Sequence, residues 1–111
     1  MVSACIERLR EQRLADDSAF ATFWVDQRQS HNPRSRAALR HELRSKGIRG
    51  EIAEAGLESC DDRTAATSAA RRYLHRVEGI DRTTALRRLA GYLVRRGFSH
   101  GLAAHVAAGL L

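Results

Sequence analysis

Apolar residues along this chain recur at intervals of three and four, and several of the runs stop at a glycine. Ala19, Phe20, Phe23, Trp24 and Gln27 follow the spacing of one helix face. Asp16 or Asp17 ahead of them has N-cap chemistry, so the pattern predicts a helix over about 17–31. Asn32 then Pro33 reads as a cap followed by proline at the first helical position. That helix is expected to reach about Lys46 and to bury Leu39 and Leu43. A short helix, about 50–58, follows through Ile52, Ala55 and Leu57. Asp61 or Asp62 is expected to cap a helix of about 63–78 that ends before Gly79. Asp81 caps the next, about 82–96, with Leu86, Leu89, Ala90, Leu93 and Val94 inward, and Ser99 caps the last, about 100–110. The first dozen residues, with Cys5, Ile6 and Leu9, form a further helix of their own.

Two of these helices stop in the same way. "ELRSKGI" (42–48) and "YLVRRGF" (92–98) both end in cations, a glycine and a large apolar residue. Glycine accepts the left-handed backbone just past a helix, and cations in the last turn complement the helix dipole. Shifting the chain by about fifty residues pairs Leu39 with Leu89, Leu43 with Leu93, Gly47 with Gly97 and Ile48 with Phe98. The same shift sets Phe23 against Tyr73 and Trp24 against Leu74, which predicts equivalent buried places for the last two. The fold class is therefore all-α, built from tandem three-helix repeats. Residues 1–14 are expected to be the last helix of an incomplete first repeat, 15–59 the second repeat and 60–111 the third.

Charge adds a second pattern. The net charge is +6, and it is banded. Residues 34–49 carry +5, residues 50–70 carry −4 and residues 71–96 carry +6. Solvated, arginine-rich helix faces would explain such bands, and so would a surface for a polyanion or an acidic protein groove. Arg36, Arg40 and Arg44 fall four apart, as do Arg72 and Arg76, while Arg88 and Arg95 flank Tyr92. Arg28, Arg34, Lys46 and Arg96 complete the candidate partner-binding or DNA-binding set. Tyr92, between arginines, is the ring expected to be exposed.

Little else in the sequence suggests chemistry. Cys5 and Cys60 are too few for a disulfide framework, which points to a reduced, cytoplasmic setting. The first residues lack a signal-peptide pattern, and no apolar run approaches the ~20 residues that span a bilayer, so no membrane partner is expected. The five histidines lack metal-ligand spacing, and no phosphate-binding glycine loop or nucleophile elbow occurs. Asp16–Asp17 and Asp61–Asp62 precede helical patterns and read as caps rather than catalytic pairs. No enzyme activity, metal or cofactor is expected.

"LADDSAFATFWVDQR" (14–28), "RSRAALRHELRSKGI" (34–48) and "LRRLAGYLVRRGFSHGLAAHV" (86–106) together resemble the RecX family of recombinase regulators. The resemblance covers roughly residues 4–106, and its arginine-arginine-glycine-phenylalanine ending is the most specific part. It implies an elongated, curved helical array; separately, a monomer is expected. It also implies binding along the groove of a RecA-type recombinase filament, with single-stranded DNA inside the filament as a second contact. The implied outcome is inhibition of filament growth, ATP hydrolysis and strand exchange. Two alternatives stay open: a helical module that binds duplex or single-stranded DNA without a recombinase, and an adaptor whose basic faces meet an acidic partner.

Overall fold

Apolar faces at helical spacing need partners, and the chain supplies them in two adjacent clusters. The computed structural model describes residues 2–111. It has six α-helices and, among the described residues, no strand. They are α1 (Val2–His31), α2 (Arg36–Ser45), α3 (Glu51–Leu57), α4 (Asp62–Tyr73), α5 (Arg82–Arg95) and α6 (His100–Leu110). A 3₁₀ turn, Leu74–Val77, follows α4. The molecule measures 71 × 21 × 19 Å, so it is elongated.

Each cluster is a three-helix unit. In the first, Ala21 and Val25 of α1 meet Leu39 and Leu43 of α2, with Ile48, Ala53, Leu57 and Cys60 closing the core. In the second, four alanines of α4 (Ala65, Ala66, Ala69, Ala70) pack with Leu89, Leu93, Phe98, Ala103, Val106 and Ala107. Alanine is the smallest side chain that still buries apolar surface, so it lets α4 lie close to α5 and α6.

The repeated stop signal forms as expected. Gly47 and Gly97 have φ of +84° and +97°. The Ile48 N–H donates to the Leu43 carbonyl at 2.9 Å, and the Phe98 N–H to the Leu93 carbonyl at 3.1 Å. These bonds occupy carbonyls that each helix end would leave bare, and they turn Ile48 and Phe98 back into their cores.

Three expectations need correction. Asp16 and Asp17 do not cap a helix, because α1 runs unbroken from Val2 to His31. No glycine or proline interrupts it, and Asp in an exposed helix interior costs under about 1 kcal/mol. Asp16 instead accepts from the Gln12 side chain one turn earlier, at 3.1 Å. The Asn32–Pro33 cap is displaced to Ser35, whose hydroxyl accepts from the Ala38 N–H at 3.0 Å. Trp24 and Leu74 do not share an equivalent buried place. Trp24 is half-buried, and the core positions of α1 are Ala21 and Val25.

The reason is register. The pattern at 20, 21, 24 and 25 of α1 recurs at 65, 66, 69 and 70 of α4, an offset of 45 rather than 50. The doublets Asp16–Asp17 and Asp61–Asp62 share that offset. The second unit has a longer path from its first helix to its second, through the 3₁₀ turn and an added first turn of α5.

In the second unit the predicted caps hold. Asp61 accepts from the Thr64 N–H at 3.1 Å and the Thr64 hydroxyl at 2.7 Å. Asp81 accepts from the Thr84 N–H at 3.0 Å. The Thr64 hydroxyl, then its backbone N–H, holds the Asp61 carboxyl below the usual range, and the Thr84 N–H does the same for Asp81. A depressed folded-state pKa means stability that is present above the unfolded value of about 4 and lost as pH falls through the folded value. Melting temperature is therefore expected to fall on acidification below about pH 4. Asp61→Asn with Asp81→Asn keeps cap chemistry without a titrating group, so the double variant should show a shallower acid limb in thermal melts monitored by circular dichroism. An unchanged acid limb would show that these caps do not carry it.

Candidate partner interface

Twelve side chains stand as candidates for a partner surface, and the structure divides them by what they touch. Several cations of the first unit are already engaged. Arg40 of α2 makes a bidentate contact with Glu54 of α3, Nε at 2.6 Å and Nη2 at 3.1 Å. That hydrogen-bonded pairing raises the Arg40 pKa further and lowers that of the Glu54 carboxyl. Glu42 of α2 sits between Arg28, at 2.8 Å, and Arg34, at 3.8 Å. Arg36 is half-buried, and its backbone N–H donates to Asp62 at the start of α4, at 2.8 Å. The expected stripe of Arg36, Arg40 and Arg44 therefore leaves only Arg44 exposed and without a carboxylate.

Arg72 has a different task. From α4 it donates to the carbonyls of Ser30 and His31, at 2.8 and 2.9 Å. It thus satisfies the C-terminal end of α1 from the neighbouring unit. The same joint contains Ser35, which is buried and whose N–H faces the Arg96 carbonyl at 3.5 Å. Gly97 lies directly against it: a Cβ there would sit 2.6 Å from the Ser35 hydroxyl and 2.8 Å from the Ala38 Cβ. Gly47, its counterpart in the first unit, faces nothing within 4 Å.

The cations at 71–96 in the second unit meet no carboxylate. Among the described residues, the ion pairs within 4.0 Å involve Arg10, Arg28, Arg34 and Arg40, and none from 71–96. Arg88 and Arg95 are exposed on α5. Arg76 and Arg96 lie over the rings of Tyr73 and Tyr92, with the guanidinium carbon 5.5 and 5.3 Å from the respective ring centre. The two tyrosines stack at 4.3 Å with planes 21° apart. Tyr92 is half-buried rather than freely exposed.

The first unit has a related cation–ring contact. Trp24 carries Arg28 at 4.8 Å and Lys46 at 5.2 Å, and Phe20 stacks on it at 5.9 Å. Phe23 beside it is 57% exposed. Lys46 and Arg96 are equivalent positions, each just before its capping glycine and each over a ring.

Sequence reasoning missed Tyr73 as a partner for Tyr92. The paired aspartates, offset by 45, carried the signal: that offset sets Arg28 against Tyr73, just as the offset of 50 sets Glu42 against Tyr92. An ion pair in one unit thus becomes a ring stack in the other.

No group of three or more His, Cys, Asp or Glu among the described residues could hold a metal ion. No helix among them is long and apolar enough to cross a membrane. The surface presents guanidinium forks without carboxylate partners beside half-buried rings.

The architecture defines a tandem three-helix repeat protein with an arginine-rich surface. Residues 16–57 match the family model of the second three-helix domain of RecX. The chain is 38% identical over 104 residues to the regulatory protein RecX of Streptomyces coelicolor, covering 91% of this chain and 55% of that protein. Against RecX of Thermobifida fusca it is 36% identical, covering 93% and 57%, and against RecX of Mycobacterium avium 36%, covering 94% and 62%. The chain belongs to the RecX family. It spans about half the length of the curated relatives it matches. No solved structure gives a significant match.

Proposed function

We propose that this chain binds a RecA-type recombinase filament and lowers its ATP hydrolysis and strand exchange, restraining DNA recombination and repair. It acts in the cytoplasm as a monomeric binding protein without cofactor or catalysis. The observation that carries this reading is the run of arginines without carboxylate partners from 71 to 96 on a molecule 71 Å long. A filament groove combines acidic protein surface with nearby phosphate, and the arginine fork suits both. The names of the relatives support the regulatory role. Arg44, Arg88 and Arg95 would make direct contacts, with Lys46, Arg76, Tyr92 and Arg96 beside them. Arg28, Arg34, Arg36, Arg40 and Arg72 would hold the scaffold that presents them.

The test is recombinase ATP hydrolysis on single-stranded DNA with increasing amounts of this chain. Hydrolysis should fall, and the chain should be retained by immobilised recombinase–DNA filaments. Retention on bare DNA with no effect on hydrolysis would favour the alternative, a helical DNA-binding module that needs no recombinase.

A further inference from the structure

The first half of α1 packs on nothing within the chain. Residues 2–16 are exposed throughout, and the helix buries only Ala21 and Val25. In the second unit the pair Asp61–Asp62 opens α4, whereas its counterpart Asp16–Asp17 lies midway along α1. The residues before that pair form an overhang that the core of the first unit does not use. One side of the helix is nevertheless patterned. Val2, Leu9, Asp16 and Phe23 are seven apart, as are Ile6, Arg13 and Phe20, the spacing that keeps a stripe on one side of a helix. Val2 is 74% exposed, Leu9 70%, Phe23 57% and Ile6 44%. We propose that the free chain forms a two-fold symmetric dimer in which this stripe of α1 pairs antiparallel with the same stripe of a second copy.

Charge and apolar positions together select the register. A two-fold axis between Leu14 and Ala15 sets Arg13 against the partner's Asp16, and Asp16 against the partner's Arg13. The same axis sets Leu9 against the partner's Phe20 and Ile6 against the partner's Phe23, so apolar pairs flank the charges on both sides. Sliding the partner by one turn opposes Asp16 to itself in one direction and sets Leu9 against the partner's Asp16 in the other. Parallel pairing in register opposes Arg13 to Arg13 and Asp16 to Asp16, and like charges held together are costly. Among the described residues neither Arg13 nor Asp16 has an ion-pair partner within 4.0 Å, so both are available to the second copy. A wholly acidic or wholly basic partner would attract one of the two and repel the other, whereas the stripe complements itself. Overlap from 2 to 27 gives a contact about 37 Å long at 1.5 Å per residue. A helix of about 15 residues is marginal in water by itself, and the second copy supplies the packing that the overhang lacks.

The assay is sedimentation equilibrium of the whole chain from about 1 to 100 µM, over which monomer should give way to dimer. No recombinase is present, so failure here leaves the filament reading standing, and in that reading the filament-bound form is the monomer. Leu9→Glu should remain monomeric throughout. Because Leu9 is exposed, this variant should melt like the parent at the lowest concentration, where both are monomers. Arg13→Glu should weaken dimerisation at least ~10-fold, and Arg13→Glu with Asp16→Arg should restore it, because exchanging the two charges rebuilds both pairs. Arg88→Glu, on α5, should dimerise like the parent. A parent that stays monomeric at every concentration overturns the proposal. So does a Leu9→Glu variant that still dimerises, or a charge exchange that associates no better than Arg13→Glu alone. A monomeric parent whose Leu9→Glu variant is no longer retained by recombinase–DNA filaments would assign the stripe to the recombinase instead.

Discussion

Arg88→Glu combined with Arg95→Glu is expected to abolish inhibition of recombinase ATP hydrolysis while leaving helicity and melting nearly intact. Both side chains are exposed on α5, and neither has a carboxylate partner. Reversal therefore breaks no ion pair inside the molecule. Arg95 lies in the last turn, where exchanging a cation for an anion costs about 0.3–1 kcal/mol against the helix dipole. Across an interface the change is larger. Each reversal replaces attraction by repulsion, and like charges brought together cost several kcal/mol. Inhibition curves with parent and variant at equal concentration give the answer. A variant that inhibits like the parent would reduce this face to solvated surface and direct the search to the acidic band at 51–62.

Gly97→Val is expected to be far more damaging than Gly47→Val. Both positions sit at positive φ, so both variants bear the strain of a β-branched residue in left-handed backbone, of order 1–3 kcal/mol. Only Gly97 also meets another unit, with the Ser35 hydroxyl 2.6 Å from where a Cβ would be. Overpacking there adds about 1–3 kcal/mol. Ser35 cannot yield freely, because its hydroxyl caps α2 through Ala38. Denaturant melts should place Gly97→Val roughly 1–3 kcal/mol below Gly47→Val. Equal losses would mean that the joint between units opens without cost and that Gly97 serves only as a cap.

Much of this molecule could be read directly from its residues. Helical spacing located α2, α3, α5 and α6 to within a few residues, because their apolar positions and capping residues are local signals. The Gly47 and Gly97 stops were legible because a left-handed backbone selects glycine almost alone. The banded charge and the family resemblance came from the same residues that the fold uses. Ser35, Asp61, Asp81 and Ser99 cap their helices, but Asp16 and Asp17, of the same chemistry, do not. Cap chemistry permits a helix start without requiring one, and nothing local to Asp16 breaks the helix before it.

Tertiary structure decided which cations are spent. Arg28, Arg34 and Arg40 look like Arg88 and Arg95 in the sequence, yet Arg28 and Arg40 face Glu42 and Glu54 across helix crossings, and Arg34 reaches Glu42 from the loop before α2. Arg40 and Glu54 are fourteen residues apart, so no periodicity within one helix could pair them. Arg72 and the carbonyls it satisfies are more than forty residues apart and belong to different units. The stack of Tyr73 on Tyr92 depends on an offset that changes between the first helix of each unit and the second. Local sequence sets backbone conformation and the polarity of each face; whether a charge on that face is cancelled or left for a partner depends on what the packed chain brings within about 4 Å of it.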